Sequence, residues 1–229
     1  MAKTGFYILS VLVILMLVLL VKNKQKDPGK TITRYFMIMG IWIAYIIGLT
    51  VSGVLNDFDL PPRVPLLIII PSIIFSIYIT GRTSFRDILQ LTPIHYPIFM
   101  QGFRILVELL IFTAWSEGYF PKRVTFEGLN YDILVGATAP VMGWLLMKNK
   151  LGLNAALIWN IAAMMILSVT GYAFISAYFF PGFAEGIDKT HFIKFPFILL
   201  PSVLLSIAIF LHIFSIRQIL MKKKELLTR

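Results

Sequence analysis

Long apolar stretches, each close to the length of a membrane-spanning helix, occupy most of this chain. A helix needs about 20 apolar residues to cross the hydrocarbon core of a bilayer. Seven segments approach that length: 6–21, 35–55, 64–81, 97–115, 133–147, 153–180 and 192–220. The pattern predicts an all-α integral membrane protein, with seven transmembrane helices in a single domain over residues 1–229.

A shorter segment, residues 84–91, lies between the third and fourth spans. Ser84 and Asp87 have the spacing of a capping box, and Phe85, Ile88 and Leu89 then share one helical face. This pattern is typical of a short amphipathic helix on the inner leaflet. An ordinary loop of mixed composition is the alternative.

Basic residues are unequally divided between the two sides of the predicted spans. Fourteen Lys and Arg residues lie after the first, third and fifth spans or at the C-terminal end of the seventh and beyond, whereas six lie on the opposite side. Basic residues favour the cytoplasmic side. The distribution predicts an outside N-terminus and a cytosolic C-terminus, in a protein of the bacterial cytoplasmic (inner) membrane.

Composition supports this class and excludes others. Hydrophobic residues make up 58% of the chain, compared with roughly 45–50% in soluble domains. There is no cysteine, so disulfides and cysteine–metal sites are excluded. The net charge of +10 comes from basic residues beside the spans, which indicates contact with anionic lipids and not with nucleic acid.

Two pairs of spans share short motifs. The second span contains LTVSG at 49–53, and the sixth contains LSVTG at 167–171. Pro71 and Ser72 in the third span match Pro201 and Ser202 in the seventh. These matches suggest a 3+1+3 parallel repeat, of a kind found in transporters, with halves at 1–91 and 125–229 linked by the fourth span. Shared composition is the alternative explanation.

The fourth span carries a charged pair in the middle of its apolar run. On an ideal helix, Gln101, Arg104 and Glu108 lie within roughly a 60° arc. Arg104 and Glu108 each lie about 10 Å from an end of the span, and their spacing allows an ion pair within the helix. Two interpretations follow: a binding site for a polar or anionic ligand, or a fixed clasp between helices.

Other polar residues are candidates for the same site. The fifth span is short, so the preceding residues 125–132 could enter the bilayer and form an outer vestibule. Glu127, Asn130 and Asp132 would line it, although a plain surface loop is the alternative. Asn160 in the sixth span is predicted at the depth of Arg104, as a ligand contact or as a bond between helices.

No motif for a cofactor or a metal is present. His95, His191 and His212 share no ligand spacing and are interpreted as polar anchors, so neither metal nor cofactor is expected. The prediction that follows is a small, non-enzymatic carrier. Arg104 would bind the solute, with Glu108 as its pairing partner or as a proton-coupled acid. A non-catalytic sensor or assembly partner is the alternative, and an intramembrane lipid-modifying enzyme is the third. Membrane lipids are the other expected partners.

Overall fold

The computed structural model describes residues 1–22, 28–180, 182–183 and 186–228. It is 80% helical, and no strand occurs in that described part. The all-α prediction is therefore confirmed. Of the fourteen basic residues assigned to the cytosolic side, Lys24, Lys26 and Arg229 lie outside the described residues.

Ten α-helices occur in the described ranges, numbered here in chain order. They are α1 (Ala2–Lys22), α2 (Pro28–Val51), α3 (Ile70–Gly81), α4 (Arg86–Leu91), α5 (His95–Met100), α6 (Arg104–Ser116), α7 (Asp132–Met147), α8 (Leu153–Phe179), α9 (Thr190–Ile193) and α10 (Ser206–Leu227). A short 3₁₀ turn, Gln101–Phe103, joins α5 to α6.

Four helical stretches are long and apolar enough to cross a membrane: Gly29–Val51, His95–Ser116, Leu153–Phe179 and Leu200–Leu227. A fifth is obtained if the bent pair of Pro65–Gly81 and Thr83–Leu91 counts as one span. Two shorter apolar stretches, Ala2–Val18 and Asp132–Met147, accompany them. By length and composition, the structure therefore has four or five candidate spans, and the count of seven stays a prediction.

The predicted short segment after the third span is helical. A 3₁₀ turn at Thr83–Phe85 leads into α4, and the chain bends by 79° where it leaves α3. Ile88 and Leu89 are buried in one cluster with Phe214 of α10. Apolar contact with α10, as well as any contact with lipid, therefore holds this helix in place.

Two π-helical segments interrupt the regular helices near prolines. Pro65–Ile69 precedes α3, and Leu200–Leu205 precedes α10. Proline lacks an N–H group, and a local π turn lets the backbone continue without the missing hydrogen bond. The first segment ends before Pro71, whereas the second contains Pro201. The two prolines therefore occupy different positions, and the parallel repeat stays a prediction.

Helix α10 lies at the centre of the molecule and α2 at its edge. In the spanning window of α10, 61% of the residues are buried, compared with 6% for α2. Helix α10 packs on α3, α5 and α8, while α7 packs on α5, α6 and α8. The polar side chains of α6, α7, α8 and α10 are thereby brought together in the interior.

Candidate functional site

Arg104 is buried in the interior, with 1% of its surface exposed. It does not pair with Glu108. Its Nε donates a 2.6 Å hydrogen bond to Asp132 Oδ2, and its Nη2 bonds the other oxygen of that carboxylate. Helical spacing predicted Glu108 as the partner of Arg104. The partner in the structure is instead Asp132, in the first turn of α7.

A close approach of α7 to α6 makes this ion pair possible. A Cβ at Gly136 would lie 2.6 Å from the backbone nitrogen of Ile105, so only glycine allows this packing. Asp132 is the first residue of α7, where the helix dipole favours a negative charge. One turn of helix then separates Asp132 from the contact that holds its helix against α6.

His212 of α10 completes the contacts of Arg104. The Nη1 of Arg104 donates to His212 Nε2 at 2.9 Å, and His212 Nδ1 lies 2.9 Å from Asn160 Oδ1. Asn160 then donates to Ser215 Oγ at 3.0 Å. A continuous series of hydrogen bonds thus runs from α7 through α6 and α10 to α8.

Glu108 has a different partner, the side chain of Asn130. Asn130 Nδ2 lies 2.9 and 2.7 Å from the two carboxylate oxygens of Glu108, and it also donates to the Val124 carbonyl at 3.0 Å. Asn130 Oδ1 accepts from Thr170 Oγ1 at 2.8 Å and from the Asp132 backbone N–H at 3.1 Å. Both donors and both acceptor positions of this amide are therefore occupied.

These residues form one buried network, called here the polar cluster. Its members come from α6, α7, α8, α10 and the loop before α7: Arg104, Glu108, Asn130, Asp132, Asn160, Thr170, His212 and Ser215. Gln101 lies nearby, where its Nε2 donates to the Ala208 carbonyl at 3.0 Å. Glu127 does not join, because its carboxylate is exposed and pairs with Lys122 at 3.0 Å.

The sequence singled out most of these positions but missed others. Arg104, Glu108, Asn130, Asp132 and Asn160 come together as candidates, whereas His212 was expected to be a polar anchor near a membrane surface. That expectation is wrong, since His212 is fully buried between Arg104 and Asn160. The only signal was its place inside an apolar run, between Leu211 and Ile213. Ser215 had no signal of its own.

A cleft opens beside the polar cluster. It contains about 700 Å³ of empty space, part of it open to the surroundings, and Arg104, Glu108, Asp132 and Thr170 line its polar side. Its remaining walls are almost all apolar, with Phe103, Leu167, Phe174, Phe192, Leu200 and Leu204 among them. Mostly apolar walls with a few converging polar groups are typical of sites that hold small organic ligands.

Both π-helical segments contribute to this cleft. Pro65 and Ile69 come from the first segment, and Leu200, Pro201 and Leu204 come from the second. Interruptions of this kind within helices are frequent at functional sites. The two π-helical segments therefore border the same cleft as the charged side chains of Arg104, Glu108 and Asp132.

Within the described ranges, no three His, Asp or Glu side chains are grouped closely enough to hold a metal ion. Comparison with protein-family models, curated proteins and solved structures gives no match. Function is therefore inferred from the geometry of this chain alone. Several apolar helices of spanning length around a buried Arg104–Asp132 pair are consistent with a multi-pass integral membrane protein.

Proposed function

We propose that this chain is a small membrane carrier whose solute binds in the cleft beside the polar cluster. One observation supports the proposal: the ionisable side chains of Arg104, Glu108 and Asp132 line an otherwise apolar cleft between helices. Burying a charged residue in a membrane-spanning segment costs free energy, and such residues commonly mark solute or ion pathways. Carriers also bind their solutes between helices near the middle of the membrane.

Within this proposal, Glu108 and not Arg104 contacts the solute. Asp132 and His212 already occupy three nitrogens of the Arg104 guanidinium. A solute that bound Arg104 directly would first have to displace a buried carboxylate. Glu108 lines the cleft and, among the described residues, is held only by the neutral amide of Asn130.

The proposal also keeps the seven-span arrangement, with the N-terminus outside. The seven predicted segments correspond in order to α1, α2, Pro65–Gly81, His95–Ser116, α7, α8 and Leu200–Leu227. Helix α7 has 16 residues and is about 24 Å long, shorter than a bilayer core of about 30 Å. The buried Asn130 in the loop before it would complete the outer part of that crossing.

A sensor or assembly role is the second candidate. The observation in its favour is that the buried side chains of Arg104, Asn130 and Asn160 each hydrogen-bond to other groups of the protein. Such a satisfied network can act as a rigid clasp between helices. The two functions differ in one respect, because a static clasp has no need of the cleft beside it.

The experiment that tests the carrier proposal is to fill the cleft without touching the cluster. Gly171 lines the cleft, and a Cβ added there would meet nothing within 4 Å. Gly48 on α2 is equally open but lies away from the cleft. Gly171→Leu and Gly48→Leu are therefore a matched pair.

Purified protein in lipid nanodiscs is screened by thermal shift against sugars, organic anions, amino acids, amines and lipid head groups. A compound that stabilises the wild type is then tested for uptake into proteoliposomes. The carrier proposal predicts that Gly171→Leu loses stabilisation and uptake at an unchanged melting temperature, whereas Gly48→Leu keeps both. Unchanged uptake in Gly171→Leu contradicts it, and the absence of any stabilising compound favours the clasp.

A further inference from the structure

The hydrogen bonds around Arg104 fix the protonation state of His212. A guanidinium only donates hydrogen bonds, so His212 Nε2, 2.9 Å from Arg104 Nη1, must be an unprotonated acceptor. Its Nδ1 then carries the proton and donates to Asn160 Oδ1. That direction agrees with Asn160, whose Nδ2 donates to Ser215 and to the Ala156 carbonyl. His212 is therefore neutral in this arrangement.

The charges of the polar cluster can then be counted. Arg104 contributes one positive charge, and Asp132 balances it through a two-point contact. Neutral His212 adds none. Glu108 is left without an ion-pair partner of its own among the described residues: its hydrogen-bond donor is the amide of Asn130, and the Arg104 charge that also acts on it is already balanced by Asp132. A carboxylate with 1% of its surface exposed and no balancing charge is costly in an apolar interior.

Glu108 also retains hydrogen-bonding capacity on its side of the cleft. An ionised carboxylate offers about four acceptor positions, and a protonated one offers a donor as well. Asn130 Nδ2 supplies only one of its two protons to Glu108, because the other goes to the Val124 carbonyl. A ligand in the cleft would therefore find an unsatisfied carboxyl group at its polar end.

The charges that line the cleft favour a positive over a negative group. Its aromatic walls, Phe103, Phe174, Phe179 and Phe192, suit the apolar body of a ligand. An anion would meet the uncompensated carboxyl group, and the guanidinium of Arg104 is already engaged by Asp132.

We infer that the cleft binds a lipophilic amine, with its apolar body among the aromatic and aliphatic walls and its nitrogen at Glu108. An amine suits this position whichever partner holds the proton. An ammonium ion pairs with the carboxylate, and a neutral amine accepts a hydrogen bond from the carboxylic acid; the two forms have the same total charge. This inference rests on the proposed function, and it replaces the polar or anionic solute expected from the sequence with an amphiphilic base.

The test uses three ligands that share one alkyl chain: decylammonium, decanol and decanoate. Equilibrium binding of each radiolabelled compound is measured on the full chain in nanodiscs, with protein-free nanodiscs subtracted to remove partition into lipid. Glu108→Gln keeps the size of the side chain and removes its charge. Glu127→Gln is the matched control, because Glu127 is an exposed carboxylate outside the cleft.

The inference predicts saturable binding of decylammonium, with decanoate much weaker. Glu108→Gln should raise the Kd for decylammonium roughly tenfold or more, because a charge-assisted hydrogen bond is lost. Glu127→Gln should leave the Kd unchanged. Gly171→Leu supplies a second variant that keeps the cluster intact, and it should abolish the same binding even if Glu108→Gln does not fold.

Two results overturn the amine class while the carrier proposal survives. One is equal binding of all three compounds that Gly171→Leu removes and Glu108→Gln leaves intact. The other is saturable binding of decanoate alone. If none of the three binds saturably, the amine class is also wrong, and the carrier proposal then depends on the solute screen and uptake assay alone.

Discussion

Removing one member of the Arg104–Asp132 pair should destabilise the protein far more than removing both. Arg104→Met leaves the Asp132 carboxylate buried with 5% of its surface exposed, and Asp132→Leu leaves the guanidinium of Arg104 buried with 1% exposed. Breaking a buried pair from one side lowers the free energy of unfolding by about 3–5 kcal/mol. Each single variant is expected in that range.

The double variant, Arg104→Met with Asp132→Leu, removes both charges and fills the space with apolar side chains. Such replacements are close to neutral in other buried pairs. Here one unpaired group remains, His212 Nε2, which loses its donor from Arg104 and costs about 1–3 kcal/mol. The double variant should therefore lose about 1–3 kcal/mol, well below the sum of the two single losses.

The assay is reversible unfolding in mixed micelles, followed by helical circular dichroism. Lys122→Met is the control, because Lys122 pairs with Glu127 at 3.0 Å where both side chains are exposed, and such pairs contribute about 0–1 kcal/mol. A coupling energy between Arg104 and Asp132 near 0.6 kcal/mol, about the average for a hydrogen bond between membrane helices, would show that the two residues do not form a strong buried pair. So would strictly additive single losses.

Two further predictions concern the neighbours of this pair. His212→Phe should lower the free energy of unfolding by about 2–4 kcal/mol, because it leaves Arg104 Nη1 and Asn160 Oδ1 buried and unpaired. In the wild type, ¹⁵N NMR should show the His212 proton on Nδ1, and a proton on Nε2 would contradict the assignment. Gly136→Ala places a Cβ against the backbone of Ile105 and should cost about 1–3 kcal/mol, measured in the same micelle titration. Gly48→Ala, whose added Cβ meets nothing within 4 Å, should instead be neutral or stabilising by up to about 1 kcal/mol. Equal effects of Gly136→Ala and Gly48→Ala would show that α6 and α7 are not in close contact.

The apolar pattern was a good guide to the helices. Each predicted span falls mostly on helix, because each apolar run is long and helix satisfies the backbone without water. The seventh, 192–220, was drawn too long, since residues 194–198 within it are not helical. The short helix α4 was also predicted, and its apolar face is buried as expected. The capping box was wrong, because the N-cap is Phe85 and no side chain caps the helix. Hydropathy cannot show how the helices cross or which of them are central, so the burial of α10 and the exposed position of α2 were not foreseen.

The structure brings the predicted charged residues together but pairs them differently. Charges inside an apolar run identify Arg104 and Glu108, because their burial requires compensation. Helical spacing, however, considers only neighbours on one helix, whereas Arg104 reaches Asp132 on another. That choice depends on how closely α7 approaches α6, which Gly136 permits and which no spacing rule contains.

His212 illustrates the remaining limit. A histidine beside a predicted membrane surface is usually an anchor, and its true position depends on where α10 begins and how deep it lies. The π-helical segment at Leu200–Leu205 shifts the register of that helix. Local sequence gave no measure of that shift, so the contact of His212 with Arg104 and Asn160 emerges only from the fold.

Photo-labelling with a diazirine-bearing alkylamine shows whether the cleft holds an amphiphilic base, because the label marks the residues beside which that base lies. An amine site in the cleft predicts adducts on its walls, such as Leu167 and Leu204, that decylammonium competes away and that Gly171→Leu lacks. Labelling confined to exposed residues such as Ile41 on α2, with no competition and no effect of Gly171→Leu, would contradict it.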